Sequence, residues 1–179
     1  LTEKMEKAQY HEAARSLMLD INNAINLYEN GAAEINNERI DKAEASFNKA
    51  LAVDEKLVLG DRAGKLAPDE KKRELDRRTS FVRRNIVETM GNTCYQRGKG
   101  LADRKDFRAA CKVWKIGLNF NRSHIDLLRA ASNVCTARAK ESYDRAQTCE
   151  QFKAVLDFAI DGDNFKEKVS EQMTENECN

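Results

Sequence analysis

Apolar residues recur at three- and four-residue steps along most of this chain, the pattern of helices that bury one stripe. Ile21, Ala24, Ile25, Leu27, Tyr28 and Ala32 form one series, and Ile40, Ala43, Phe47, Ala50 and Leu51 the next. A turn near Asn36-Asn37 between them predicts a helical hairpin over 21–55. A break is expected at Asp20 or at Asn22-Asn23, leaving Tyr10-His-Glu-Ala13-Ala-Arg-Ser-Leu17 as the second helix of a partial unit over 1–20. A sequence of that kind starts part-way through an array. Leu75, Val82, Ile86, Val87 and Met90 mark a helix from 69 to 91, with Pro68-Asp69-Glu70 as its start. Cys94, Tyr95, Gly98 and Leu101 continue the spacing, and Gly91 is a place where the helix bends or ends. A second hairpin is expected over 85–122. Ile125, Leu127, Leu128, Ala131, Val134, Cys135 and Ala139 predict a further helix capped by Ser123. Another opens at Thr148 or Cys149 and carries Phe152, Val155, Leu156 and Ala159, closing a third hairpin over 123–163 at Asp161-Gly-Asp-Asn164. Residues 164–179 form a terminal helix or tail.

Two of these hairpins share one sparse pattern. Gly31 is followed by Ala43, Phe47, Ala50 and Leu51, and Gly98 by Ala110, Trp114, Gly117 and Leu118. Gly to Ala is twelve residues in both, and the later steps are four, three and one in both. Small residues at such points let antiparallel helices touch closely, with one bulky side chain wedged between them. The glycines lie 67 residues apart. Segment 56–84, with Gly60, Gly64 and Pro68, is therefore an insertion or a degenerate repeat, and its glycines and proline favour the insertion.

The pattern resembles the tetratricopeptide repeat, a 34-residue helix-turn-helix unit with Gly at its eighth position and small or aromatic residues at positions 20, 24 and 27. Ala43, Phe47 and Ala50 take those last places in one copy, and Ala110, Trp114 and Gly117 in the other. Glu55 and Arg122 stand where the family has Pro, and Leu27 and Cys94 where it has an aromatic. The resemblance implies an all-α, right-handed superhelical array, here a single helical domain over 1–179 that is divergent and interrupted. It also implies a non-enzymatic protein-interaction scaffold or adaptor whose first helices line a concave groove. Carried over by position, the groove residues are Tyr28 in the first copy and Asn92, Tyr95, Gln96 and Lys99 in the second, with Arg129 and Asn133 one period later. Tyr95, Lys99, Arg129 and Asn133 would offer an aromatic contact with cationic and amide donors to an acidic or carboxylate-bearing segment. The first copy is lined by Ile25, Tyr28, Glu29, Ala32 and Ile35, too apolar to clamp a terminal carboxylate. Cys94-Tyr-Gln-Arg-Gly-Lys-Gly with Ala109-Ala-Cys-Lys-Val-Trp114 is also similar to repeat segments of large bacterial signalling or motility proteins.

Charge sharpens the choice of partner. The net charge of +1 over 179 residues hides a basic middle. Residues 60–145 hold 21 Lys and Arg against 11 Asp and Glu, while both ends are acidic. An acidic protein or peptide partner follows, or an electrostatic fit between copies in a self-associating assembly. Nucleic-acid binding by the basic 69–91 helix is the alternative, weakened by Asp69, Glu70, Glu74, Asp76 and Glu88 between the cations. No apolar run approaches a membrane span. Catalysis, cofactors and metals find no constellation. His11 and His124 are far apart, Gly98-Lys-Gly100 is no phosphate loop, and Asp161-Gly-Asp-Asn164 lacks a calcium-ligand series. The five cysteines show no metal-ligand spacing. Cys94, Cys111 and Cys135 fall on apolar faces as packed thiols in a cytoplasmic protein. In the periplasmic or exported alternative, disulfides staple neighbouring helices or the segment flanked by Cys149 and Cys178.

Overall fold

The computed structural model describes the backbone of residues 2–62, 64–176 and 178, and side chains from residue 9 onward within those ranges. Among them the chain is helix and turn throughout, so the all-α class holds. Its contacts divide it into two compact units, Leu1–Ile86 and Val87–Asn179, where the sequence pattern predicts one domain.

The first unit is built on a long hairpin. Helix α1 (Thr2–Asn36) runs through Asp20 and Asn22-Asn23 without the expected break. Asparagine costs a helix interior only about 0.7 kcal/mol, and packing of the stripe around Ala24 and Gly31 outweighs it. The turn falls where Asn36-Asn37 predicts it. The Asn37 and Arg39 amides donate to Ala33 O and Glu34 O, and Glu38 adopts a left-handed φ of 60°. Helix α2 (Ile40–Leu59) then runs back along α1, far enough for Lys56 Nζ to reach Asp20 Oδ2 at 3.0 Å. Phe47 lies over Gly31. A Cβ there would come within 2.9 Å of three ring atoms, and Tyr28 packs against the same ring at 5.9 Å between centroids.

Between the two matching copies lie a 3-10 turn (Gly60–Arg62) and the ten-residue α3 (Pro68–Arg77). Pro68 begins α3 as predicted, with Glu70 Oε2 accepting from the Ala67 amide at 3.2 Å. The predicted 69–91 helix is not one helix. Thr79 Oγ1 donates to Asp76 O, and Ser80 Oγ accepts from the Arg83 amide at 3.0 Å, which closes α3 and starts α4 (Phe81–Asp103). Arg83 Nε pairs with Asp54 Oδ2 at 2.9 Å, and Asp54 is only 3 % exposed. A buried carboxylate without such a partner would be strongly destabilising.

The second unit repeats the glycine–aromatic contact. Within it, α4 passes straight through Gly91, and Asp106 Oδ1 caps α5 (Phe107–Phe120) by accepting from the Ala109 amide. Trp114 lies over Gly98, where a Cβ would come within 2.6 Å of three indole atoms, and its Nε1 donates to Tyr95 O at 3.3 Å. Gly117 is also closely covered, with a Cβ there 2.6 Å from Cys94 Cβ and 2.8 Å from Leu127 Cδ2. A continuous helical run follows as α6 (Ile125–Ala131), a π turn (Ser132–Thr136) and α7 (Ala137–Arg145). Its cap is His124 rather than Ser123, with Nδ1 accepting from the Leu127 amide at 3.2 Å. Thr148 caps the short α8 (Cys149–Val155) with Gln151 in a reciprocal box. The Asp161–Asn164 turn leads into α9 (Phe165–Glu175), and the expected polar tail lies partly outside the described residues. Phe152, Val155, Ala159, Phe165 and Val169 form the core beneath these last elements.

The cysteines depart from the packed-thiol expectation. Cys111 pairs with Cys135, joining α5 to the π turn, and Cys149 with Cys178, joining the start of α8 to the chain beyond α9. Cys94 is buried outside both bridges. Cys149–Cys178 is the staple of the exported alternative, whereas the 24-residue separation of Cys111 and Cys135 carries no pairing signal of its own.

Two outcomes follow. Gly98→Ala is expected to destabilise the second unit by about 1–3 kcal/mol through overpacking against Trp114. Gly100→Ala, two residues on and facing open space, should stabilise by about 0.5–1 kcal/mol; denaturant titration followed by emission of the single tryptophan reads both. Thiol titration in denaturant without reductant should find one reactive thiol, Cys94, and four or five would overturn the pairing.

Candidate functional site

The predicted binding residues fall on two helices of the second unit, apart from Tyr28 in the first. Asn92 lies three and four residues before Tyr95 and Gln96, and Lys99 four and three after them, so the four fall along one side of α4. Asn92, Gln96 and Lys99 are exposed, and Tyr95 is half-buried. The start of α6 is fastened to this face by His124. Its Nε2 lies 3.0 Å from Asn92 Oδ1 and its ring 5.8 Å from the Tyr95 ring. Gly91 makes room for the junction, since a Cβ there would sit 2.8 Å from His124 Cδ2. Asn121 completes it, with Nδ2 donating to Val87 O at 3.4 Å. One ring nitrogen of His124 therefore caps α6 and the other meets α4. In the sequence this histidine belongs to no catalytic or metal constellation; the signal that could have found its role is its place immediately before a helical series.

Arg129 and Asn133 are exposed on the α6 run, Asn133 within the π turn. Arg129 meets Asp126 at 3.8 Å, and both side chains are mostly exposed. A pair of that kind contributes little, which leaves the guanidinium open to a stronger acceptor. Tyr28, in the first unit, lines an apolar cleft of about 470 Å³ with Ile21, Ile25, Leu57, Val58 and Phe81. Of the expected first-copy lining, Ile25, Tyr28 and Glu29 border this cleft and Ala32 and Ile35 do not, and four cations of the basic segment nearby are paired with acids. Lys71 contacts Glu55, Arg77 and Arg78 contact Glu74, and Arg83 contacts Asp54.

A further cleft, of about 410 Å³, lies in the second unit and has no counterpart in the sequence-derived residues. Leu118, Leu128 and Ile160 form its apolar walls, and Lys115, Arg122 and Lys166 its cationic side, with Asp161 among them. Asp161 accepts from Lys166 at 2.6 Å and from Arg122 at 3.3 Å. The hydrogen bond from Lys166 holds its carboxyl below the usual range. Burial lowers the pKa of Lys115, whose ammonium donates to Leu156 O at 3.0 Å and Asp157 O at 2.8 Å.

No family model, curated protein or solved structure matches the chain. The physical evidence is therefore that of the residues themselves. Among the described residues no group of His, Cys, Asp and Glu is arranged to hold a metal ion, and no helix is long and apolar enough to cross a membrane.

The Asp161 pair gives a signed pH expectation. A carboxyl whose folded pKa is depressed contributes stability above its unfolded pKa and loses it as pH falls through the folded value. Carboxyl NMR titration should place Asp161 below the ordinary aspartate range, and Lys166→Gln should move its midpoint upward. The accompanying change in melting temperature should be small because the group is exposed.

Proposed function

We propose that the protein is a non-enzymatic, tetratricopeptide-like scaffold or adaptor that holds an acidic peptide or helix on the face formed by α4 and α6. The observation that carries this reading is the His124 junction. It fastens the helix bearing Tyr95 and Lys99 to the helix bearing Arg129 and Asn133, and both cations remain exposed. An aromatic ring between amide donors and exposed cations suits carboxylate side chains along a partner segment. The two glycine–aromatic contacts support the repeat reading, because each reproduces the close helix pairing that such a repeat requires. The two disulfides support the periplasmic or exported alternative over the cytoplasmic one, since such bridges persist in oxidising compartments.

The pairing of the basic segment around α3 with Glu55, Glu74 and Asp54 leaves less field for a nucleic acid than the count of its cations suggests. The α4–α6 face is the more open one.

Short acidic peptides selected by display on the wild-type chain provide the test. The double variant Lys99→Glu, Arg129→Glu is expected to weaken the selected peptides by about tenfold or more, about 1.4 kcal/mol per decade, with helical circular dichroism unchanged. Undiminished affinity would reject this face.

A further inference from the structure

The cleft beside Lys115 is a composite of distant parts of the second unit: α5, the turn after it, α6, the segment after α8, and the first turn of α9. Its charges do not balance. Lys115, Arg122 and Lys166 line it against one carboxylate, Asp161. Of the acids nearby, Asp157 Oδ2 pairs with Arg108 at 2.6 Å, and Asp163 accepts from the Ile160 and Phe165 amides at 2.8 and 3.2 Å, which fixes its carboxylate without cancelling its charge. The cations also keep donors in reserve. An ammonium has three and a guanidinium five. Lys115 uses two on the Leu156 and Asp157 carbonyls, while Lys166 and Arg122 are each seen donating to Asp161. Burial lowers the pKa of Lys115; its ammonium is hydrogen-bonded only by main-chain carbonyls, while Asp157, Asp163 and Asp161 act on it through space. Opposite the cations, Leu128 remains 45 % exposed beside Leu118 and the buried Ile160.

We propose that this cleft binds a small amphipathic carboxylate, its anionic head on Lys115, Arg122 and Lys166 and its apolar body against Leu118, Leu128 and Ile160. The volume lies within the usual range for small-molecule sites and suits a single ring or a short aliphatic chain. A fully polar anion such as phosphate would satisfy the cations and leave Leu128 uncovered; a neutral apolar molecule would do the reverse. The site is separate from the α4–α6 face, and the assignment does not depend on peptide binding there.

Amide NMR titration of the whole chain with 3-phenylpropanoate, 3-phenylpropanamide and inorganic phosphate tests it. The carboxylate should give saturable shifts at Lys115, Leu118, Leu128 and Ile160, with the amide and phosphate each weaker by about tenfold or more. Arg122→Gln with Lys166→Gln, and separately Leu128→Asp, should each weaken the carboxylate by about the same factor. These positions are exposed, so the folded spectrum should persist and report the loss. Absence of saturable shifts at those residues, equal binding of acid and amide, or phosphate binding as tightly as the acid would each overturn the proposal.

Discussion

Phe47 and Trp114 each occupy the space that a Cβ would take on the facing helix, at Gly31 and Gly98. Helices usually meet at 8–10 Å between axes, the distance being set by the side chains at the contact. A glycine beneath a large ring lets that ring fill the interface without forcing the backbones apart. Around each contact the neighbours are small and fully buried: Ala43 and Ala50 in the first unit, Ala110 and Gly117 in the second. The indole adds a hydrogen bond to Tyr95 O, so the second copy fixes the ring's orientation as well as its depth. That orientation matters because Tyr95 also packs against His124, and the core contact and the proposed binding face thereby share a residue.

The hairpins were legible because the glycine-to-aromatic spacing is repeated, and a repeated spacing in two otherwise different segments is hard to produce by chance. The helix boundaries between them were less so. Leu75, Val82 and Ile86 stay in helical phase across residues 78–80, so periodicity does not register the break there. Only Ser80 marks it, and it lacks the Glu or Gln three residues on that completes a capping box. The His124 cap was hidden for a different reason. Imidazole is not among the favoured N-cap groups, and its role depends on Asn92, 32 residues earlier. The small cleft was invisible to sequence altogether, since Lys115, Leu128, Ile160 and Lys166 come from separate elements and acquire meaning only once those elements pack.

The proposed binding face lies on α4 beyond Gly91 and on α6 with the π turn after it, clear of the break at residues 78–80. What the structure adds is the fastening. Asn92 was expected to face a partner, but its carboxamide oxygen lies against His124, so its first task is to hold the face together. Tyr95 is similarly half-used by the core. The residues with least internal employment are the outward ones, Gln96, Lys99, Arg129 and Asn133. A partner held on the proposed face would order mainly these few long side chains on binding.

The Cys149–Cys178 disulfide brackets two short helices. In the first unit, 35-residue α1 and 20-residue α2 lie along each other and need no covalent help to hold their register. In the second, α8 has seven residues and α9 eleven, lengths at which an isolated helix is not stable in water. Cys149–Cys178 closes the segment that contains both. By chain entropy a closed loop of this size contributes about 3–4 kcal/mol, comparable to burying one or two large apolar side chains. Cys111–Cys135 ties the π turn to α5 beside Trp114 and Leu127, in the same buried cluster. The face carrying Arg129 and Asn133 and the cleft floored by Ile160 therefore depend on both the glycine–tryptophan contact and the bridges, and loss of the bridges would loosen the cleft before it loosened the α4–α5 pair.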